Sequence, residues 1–242
     1  MPHTPAADDA SQHDSPAGVA AVERALAIVD VVASRIEPFS LADLSRETGF
    51  YKSTLLRLIA SLERGALVVR RSDGRYALGP SAYRLGRAFD ASYRLTEIIA
   101  PLLARCVEQG SESASFHILH DAQWRVCLVR VDSHHSTLDR IRAGDLLPLT
   151  KGAAGRLIDG YTHDAVTARA LGPVVLSMGE RDPNCAAVAS PVFGPANAFI
   201  GAISLSGPKE RFTPAAIDTM SALATSAARD ATLALAGQWP GV

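Results

Sequence analysis

The 242-residue sequence has few cysteines, no long apolar run and a net charge of only −1. Its three cysteines (Cys106, Cys127 and Cys185) form no CxxC pair, and their odd number cannot close a disulfide framework, so we expect reduced core thiols. No window of about 18 residues is free of charge and apolar, and no basic and then apolar segment opens the chain. These absences disfavour membrane spans and secretion and favour a cytoplasmic globular protein.

The sequence also lacks the usual motifs of enzymes. It contains no G-x-S-x-G, Walker A, H-E-x-x-H or G-x-G-x-x-G pattern, so we expect no enzyme and no cofactor. A thiol nucleophile built from Cys185 and His163 is one alternative. A metal site is another, but His117 and His120 are three residues apart on a predicted strand and face opposite ways, so we expect no metal. Its other candidate ligands are Cys127, Asp132, His134 and His135.

The small net charge conceals an uneven distribution. Residues 1–18 carry −3, residues 19–110 carry +3 and residues 111–242 carry −1. Within residues 51–75, six basic residues stand against two acidic ones. This local excess marks a segment that can meet a phosphate backbone, or alternatively a solvated surface.

The N-terminal part reads as a series of short helices. Residues 1–18 are rich in Pro, Ala, Asp and Ser and predict a disordered tail. Apolar residues at helical spacing predict a helix over 19–35, which Pro38 ends. Ser40 and Asp43 predict a capped helix over 41–48.

A second short helix and a hairpin follow. Gly49 closes the preceding helix in the left-handed region, and Ser53 is predicted to cap a new helix whose leucine and isoleucine positions share one face until Gly65. Asp73-Gly74 between two β-prone runs predicts a hairpin. Residues 19–80 therefore predict a winged helix-turn-helix domain.

Residues 81–110 are predicted to be helical, with 81–100 as a linker helix and a break where Pro101 starts the next helix. The linker carries large apolar side chains, which favours cover by a second subunit. Residues 101–242 predict an α+β domain. Its strands are expected at 113–119, 124–131, 186–193 and 199–206, a loop at 144–149, a helix start at 152–158 and a closing helix at 214–236, with Ile217, Met220, Leu223 and Leu233 as its apolar positions.

The second helix of a helix-turn-helix unit places short polar and basic side chains at its N-terminal turn, because that end enters the major groove. Arg57 shares a face with Thr54 and can reach a base edge or a phosphate, while Lys52 suits a phosphate contact. The hairpin arginines can follow the backbone or enter the minor groove. The predicted DNA contacts are Lys52, Ser53, Thr54, Arg57, Arg70, Arg71 and Arg75.

Several runs of sequence resemble the IclR family of bacterial transcription regulators. They are VERALAIV at 22–29, LADLSRETG at 41–49, KSTLLR at 52–57, RYALGP at 75–80, GDLLP at 144–148, ERDP at 180–183, ASPVF at 189–193 and SLSGP at 204–208. The resemblance implies a winged helix-turn-helix, a linker helix and a GAF-like effector-binding and oligomerisation domain over 101–242. It also implies a homodimer or tetramer that binds double-stranded operator DNA under the control of a small organic acid, either aromatic or 2-oxo.

The resemblance also implies an effector pocket in the C-terminal half. Its positions correspond here to Ala153, Ala154, Ala187, Ser204 and Ser206. Small residues at a helix N-terminus leave backbone N–H groups open to a carboxylate, and serine hydroxyls add adaptable hydrogen bonds. Two alternatives stay open, a C-terminal domain that only dimerises and a small-carboxylate enzyme fused to a docking module.

Overall fold

The computed structural model describes residues 18–134, 141–163 and 170–240. The predicted tail, apart from its last residue, and His135 lie outside these ranges. The chain divides into two compact units, 1–89 and 90–242, and the boundary falls within a helix. None of the helices in the described ranges is long and apolar enough to cross a bilayer.

The first unit is a three-helix domain with a small wing. Helices α1 (Ala20–Ala33), α2 (Leu41–Thr48) and α3 (Lys52–Arg64) precede strands β1 (Val68–Arg70) and β2 (Tyr76–Leu78). The strands pair antiparallel, and Phe39 adds a bridge to Tyr76. Helix α4 (Pro80–Tyr93) follows and spans the boundary between the units.

Local signals fix the ends of α2. The Ser40 hydroxyl accepts a hydrogen bond from the Asp43 backbone N–H, while the Asp43 carboxylate accepts from the Ser40 backbone, which completes the predicted capping box. The Ser40 hydroxyl also donates to the Asp43 carboxylate at 2.8 Å, and this bond, with those from the Ser40 N–H and from Arg46, lowers the pKa of Asp43 to about 2. Gly49 closes the helix with a φ of 71°, as predicted.

The start of α3 differs from the prediction. The N-cap residue is Tyr51, which makes no side-chain cap, and the helix already includes Ser53. The helix is therefore held by its apolar face, where Leu55, Ile59 and Leu62 are buried against α1 and α2.

The second unit is an antiparallel sheet with helices on both faces. Its sheet runs in the order β5-β4-β3-β8-β7-β6. The strands are β3 (Ser113–Leu119), β4 (Trp124–Asp132), β5 (Leu146–Pro148), β6 (Val175–Met178), β7 (Cys185–Phe193) and β8 (Phe199–Pro208). The helices are α5 (Leu95–Glu108), α6 (Ala153–His163) and α7 (Pro214–Ala234), and one-turn 3₁₀ segments lie at Pro195–Asn197 and Lys209–Arg211.

Helices α5 and α7 cover one sheet face, and α6 covers the other. The predicted apolar positions of α7 are only partly correct, because Leu233 is 57% exposed. The buried positions are instead Ala224, Ala227, Ala228, Ala231 and Thr232. Small side chains let the helix approach the sheet closely, and the Thr232 hydroxyl accepts a hydrogen bond from the Phe193 N–H at 3.1 Å.

The break between the linker helix and the next helix lies at Arg94 and not at Pro101. Arg94 has a φ of 49°, and α5 begins at Leu95 and continues through Pro101. A proline inside a helix removes one hydrogen bond and costs about 3 kcal/mol. Ile99 and Leu103 on either side are fully buried, and two such side chains contribute about 1.5–3 kcal/mol each, which offsets that cost.

Two strands were not predicted. The segment 144–149, predicted as a loop, contains the short edge strand β5, and β6 forms the opposite edge of the sheet. Both are only three or four residues long, so their sequences carry little alternation.

Candidate functional site

Helix α3 presents a polar face opposite its buried leucines. Lys52, Ser53 and Arg57 are exposed and Thr54 is half-buried on this helix. The Arg57 guanidinium forms no hydrogen bond or ion pair with another residue of the described ranges. Tyr51, just before the helix, is 84% exposed. The first two turns thus offer cations, hydroxyls and an aromatic ring to a partner.

The wing carries the three predicted hairpin arginines on its surface. Arg70 donates to the carbonyl of Gly74 at 3.4 Å, and Arg75 lies 3.9 Å from the Asp73 carboxylate. Gly74 turns the hairpin with a φ of 80°. Arg71 is exposed, and its backbone N–H donates to the Arg75 carbonyl at 2.8 Å. Exposed pairs of this kind contribute little to stability, so these guanidinium groups are available to an anion.

The second unit contains a small cavity of about 40 Å³, open to solvent at its mouth, between the sheet and the start of α6. Successive residues of a strand face opposite sides of the sheet. Phe116, Ile203 and Leu205 face α5 and α7, so the residues next to them along each strand face the side that holds the cavity. All five residues predicted for the effector pocket line this cavity: Ala153, Ala154, Ala187, Ser204 and Ser206.

The cavity also contains polar residues that the sequence did not predict as pocket positions. They are Ser115, His117, Arg125, Ser177, Arg181 and Asp182. Ser115 and His117 alternate with apolar Ala114 and Phe116 along β3, so a polar stripe inside a buried strand was the available signal. The position of Arg125 depends on its contacts with the distant carbonyls of Pro148 and Lys151, which no local sequence pattern indicates.

Arg125 is the most unusual group in the cavity wall. Its side chain is buried at 3% exposure, and its Nη1 donates to the carbonyls of Pro148 and Lys151. Burial, together with the nearby positive charge of Arg181, lowers the pKa of Arg125 from its ordinary value to about 10. No carboxylate of the described ranges forms an ion pair with it, and its Nε has no hydrogen-bond partner there.

His117 is the second buried ionisable group of the cavity, with 2% exposure. Its Nε2 lies 2.9 Å from the Ser115 hydroxyl. Burial and the charges of Arg125, Arg130 and Arg181 lower its pKa well below 6.5. The imidazole is therefore neutral at ordinary pH.

The start of α6 completes the wall. Gly152 has a φ of 81°, and its N–H donates to the Glu180 carboxylate at 3.2 Å, while Arg156 forms an ion pair with the same carboxylate at 2.8 Å. The backbone N–H groups of Ala153 and Ala154 have no partner within the described ranges. A helix start of this kind attracts an anion.

The candidate residues for a metal site and for a thiol nucleophile lie in several different surroundings. Within residues 18–134, 141–163 and 170–240, no group of three or more His, Cys, Asp or Glu side chains could hold a metal ion. His117 is buried in the cavity wall, whereas His120 lies in the hairpin turn. Cys185 lines the cavity, but His163 does not and instead lies 3.1 Å from the Asp159 carboxylate.

Comparison with known proteins adds independent findings. Residues 21–72 match the model of the IclR helix-turn-helix domain. The regulator BhcR of Paracoccus denitrificans is 27% identical, over 90% of this chain and 88% of its own length. The transcriptional repressor IclR of Escherichia coli is 23% identical, over 90% of this chain and 91% of its own length.

Solved structures share the fold over nearly the whole chain. An IclR-type regulator from a Silicibacter species has a TM-score of 0.76 at 22% identity, covering 91% of this chain and 98% of its own. An IclR homologue from Microbacterium hydrocarbonoxydans, solved in complex with 4-hydroxybenzoate, has a TM-score of 0.70 at 16% identity and covers 88% and 99%. At these identities the likeness concerns the fold.

Proposed function

Because this chain belongs to the IclR family of DNA-binding transcriptional regulators, we propose that α3 and the wing contact operator DNA and that the cavity binds a small organic acid controlling this contact. The acid-binding half rests on one observation, the buried Arg125 guanidinium that has no carboxylate partner in the described ranges. The DNA-binding half draws its contacts from the exposed polar face of α3.

For DNA, we assign Arg57 to base or phosphate contact and Ser53 and Thr54 to the same entering turn of α3. Lys52 suits a phosphate, because it stands at the first residue of the helix. The wing residues Arg70, Arg71 and Arg75 extend the contact along the backbone. The support is that these side chains are exposed or half-buried and that Leu55, Ile59 and Leu62 hold the opposite face in the core.

The DNA test measures retention of the fragment upstream of the gene that encodes this chain. Arg57→Ala should weaken specific binding by about 1–3 kcal/mol, or about 10- to 150-fold. The matched control is Arg64→Ala, which removes an exposed arginine from the last turn of the same helix, where it bonds Ser61 at 3.0 Å. Equal losses in both variants, or no loss in Arg57→Ala with the melting temperature unchanged, would contradict the assignment.

For the acid, the charge of the cavity wall favours an anion. A buried guanidinium without a carboxylate partner is costly, and a ligand carboxylate offsets that cost. The N-terminal N–H groups of α6 and the hydroxyls of Ser204 and Ser206 add hydrogen bonds to the same ligand. A relative of the same fold holds 4-hydroxybenzoate, an organic acid.

The acid test is a thermal-shift screen of small carboxylates with the full chain. A cognate acid should raise the melting temperature, because a ligand stabilises the folded state by RT ln(1 + [L]/Kd). Arg125→Met should abolish the shift, whereas Lys151→Met, which removes an exposed cation beside the cavity, should keep it. If no carboxylate stabilises the wild type, the acid-binding proposal fails.

We further propose a two-fold dimer that presents two copies of α3 to successive half-sites. The support is the exposure of large side chains on α4, where Tyr83 is 73% exposed and Leu85 is 56% exposed. Acid binding would alter the half-site spacing through α4 and α5. Sedimentation of the wild type against Leu85→Glu tests the dimer, which the variant should weaken.

A further inference from the structure

Two buried polar atoms in the wall of the cavity lack a hydrogen-bond partner within the described ranges. They are Nδ1 of His117 and Nε of Arg125. Neither residue is more than 3% exposed. Leaving such an atom unpaired is unfavourable, so two of them in one wall indicate groups that a ligand satisfies. The Nε–H of Arg125 can only donate, whereas the role of the His117 nitrogen depends on its tautomer.

The contacts of Ser115 determine that tautomer. Its hydroxyl lies 3.4 Å from the carbonyl oxygen of Ser204 and 2.9 Å from Nε2 of His117. A carbonyl oxygen only accepts, so in the arrangement that satisfies both contacts the hydroxyl hydrogen of Ser115 points to Ser204. The hydroxyl oxygen then accepts from the imidazole, and Nε2 carries the proton. In a neutral ring Nδ1 is therefore a bare lone pair.

The surroundings keep the ring neutral. Burial, with the positive charges on Arg125, Arg130 and Arg181, lowers the pKa of His117. Arg130 reaches Asp132 at 2.8 Å, and Asp182 lines the same cavity. The thiol of Cys127 lies opposite His117 on the neighbouring strand. With a second proton excluded, Nδ1 can only accept a hydrogen bond.

We propose that the ligand of the cavity is a hydroxy acid, whose carboxylate pairs with Arg125 and whose hydroxyl donates to Nδ1 of His117. This inference rests on the proposed function of the cavity as an acid site and names the chemistry of its ligand. A 2-oxo acid, one of the two classes that the family resemblance implies, would set a carbonyl lone pair against the lone pair of Nδ1. An unsubstituted acid would leave Nδ1 unpaired.

The test uses matched acids with the full-length wild type. Titration calorimetry compares lactate with pyruvate and propionate, malate with succinate, and 4-hydroxybenzoate with benzoate. The hydroxy member of the set that binds should bind about tenfold or more tightly than its partners, the ratio expected for one unpaired buried group. Equal or tighter binding of the oxo or unsubstituted partner would overturn the inference and leave the acid site intact. If none of the seven acids binds, the inference fails, and the acid site itself is judged by the thermal-shift screen.

Variants of His117 and a direct measurement of its tautomer distinguish loss of ligand recognition from loss of folding. His117→Phe should reduce the ratio within the matched set to about one, whereas His117→Asn, which keeps an acceptor oxygen, should retain part of the preference. His163→Phe, the same change at an exposed histidine of α6 that does not line the cavity, should leave the ratio unchanged. The nitrogen chemical shifts of His117 in the wild type should show a proton on Nε2, and a proton on Nδ1 instead would overturn the inference whatever the ligand.

Discussion

Nε2 of His117 lies 2.9 Å from the hydroxyl of Ser115, within a strand buried on both faces. The lowered pKa of His117 makes the stability of the chain depend on pH. As the pH falls below about 6.5, the ordinary pKa of histidine, the unfolded residue takes up a proton that the folded one resists. The free energy of unfolding therefore falls, by at most about 1.4 kcal/mol per pH unit for this one group.

Urea unfolding of the wild type and of His117→Asn between about pH 7.5 and pH 5.5 isolates this contribution. The stability advantage of the wild type over the variant should shrink as the pH falls, because only the wild type has the resisting imidazole. Other histidines and carboxylates cancel in the comparison. A difference that stays constant over the range would show that His117 titrates equally in both states.

The capping box at the start of α2 predicts a stability effect. Ser40→Ala removes the acceptor of the Asp43 N–H and should lower the free energy of unfolding by about 1 kcal/mol. The matched control is Ser53→Ala, because Ser53 lies inside α3 and caps nothing. Chemical denaturation of the two variants checks the pair, and an equal loss from both would refute the cap's contribution.

The wing predicts a change in the salt dependence of DNA binding. Each arginine that neutralises a phosphate contributes about 0.9 to the slope of log K against log salt concentration. Arg71→Ala should reduce the slope by about that amount. Arg229→Ala makes the same charge change at an exposed position of α7, in the other unit, and should leave the slope unaltered. Identical slopes for wild type and Arg71→Ala would exclude a phosphate contact.

Gly155 on α6 predicts a steric effect at the cavity. A methyl group there would collide with the backbone carbonyl of Leu149 and with the guanidinium of Arg125. Gly155→Ala should therefore destabilise the chain by about 1–3 kcal/mol and weaken acid binding. In the control Gly86→Ala nothing lies near the added methyl, so stability should rise by about 0.5–1 kcal/mol. Thermal melting measures both, and a neutral Gly155→Ala would contradict the close packing.

The sequence predicted those elements whose signals are local. The bounds of α2 follow from Ser40, Asp43 and Gly49, and those of β3 from its alternation. The break at Arg94 was not predicted. Helix α5 continues through Pro101 because Ile99 and Leu103 are buried in the tertiary structure. These outcomes depend on contacts between distant segments, which periodicity does not encode.

The residues of the cavity likewise divide into those that could be predicted from the sequence and those that could not. Its five expected residues came from a family resemblance and do surround one space. Arg125 did not come from the sequence, because its burial requires the carbonyls of Pro148 and Lys151, more than twenty residues away. From the sequence, His117 was considered only as a metal ligand. Its contact with Ser115 and the three arginines around it become apparent only in the folded chain.

Control of DNA binding by an acid in the cavity is the central claim, and fluorescence anisotropy of the upstream fragment tests it most directly. The best-binding acid of the matched set should change the DNA dissociation constant of the wild type by about fivefold or more. Arg125→Met should bind the fragment as the acid-free wild type does and should not respond to the acid. An equal response in Arg125→Met, or an unchanged constant in the acid-saturated wild type, would contradict the account.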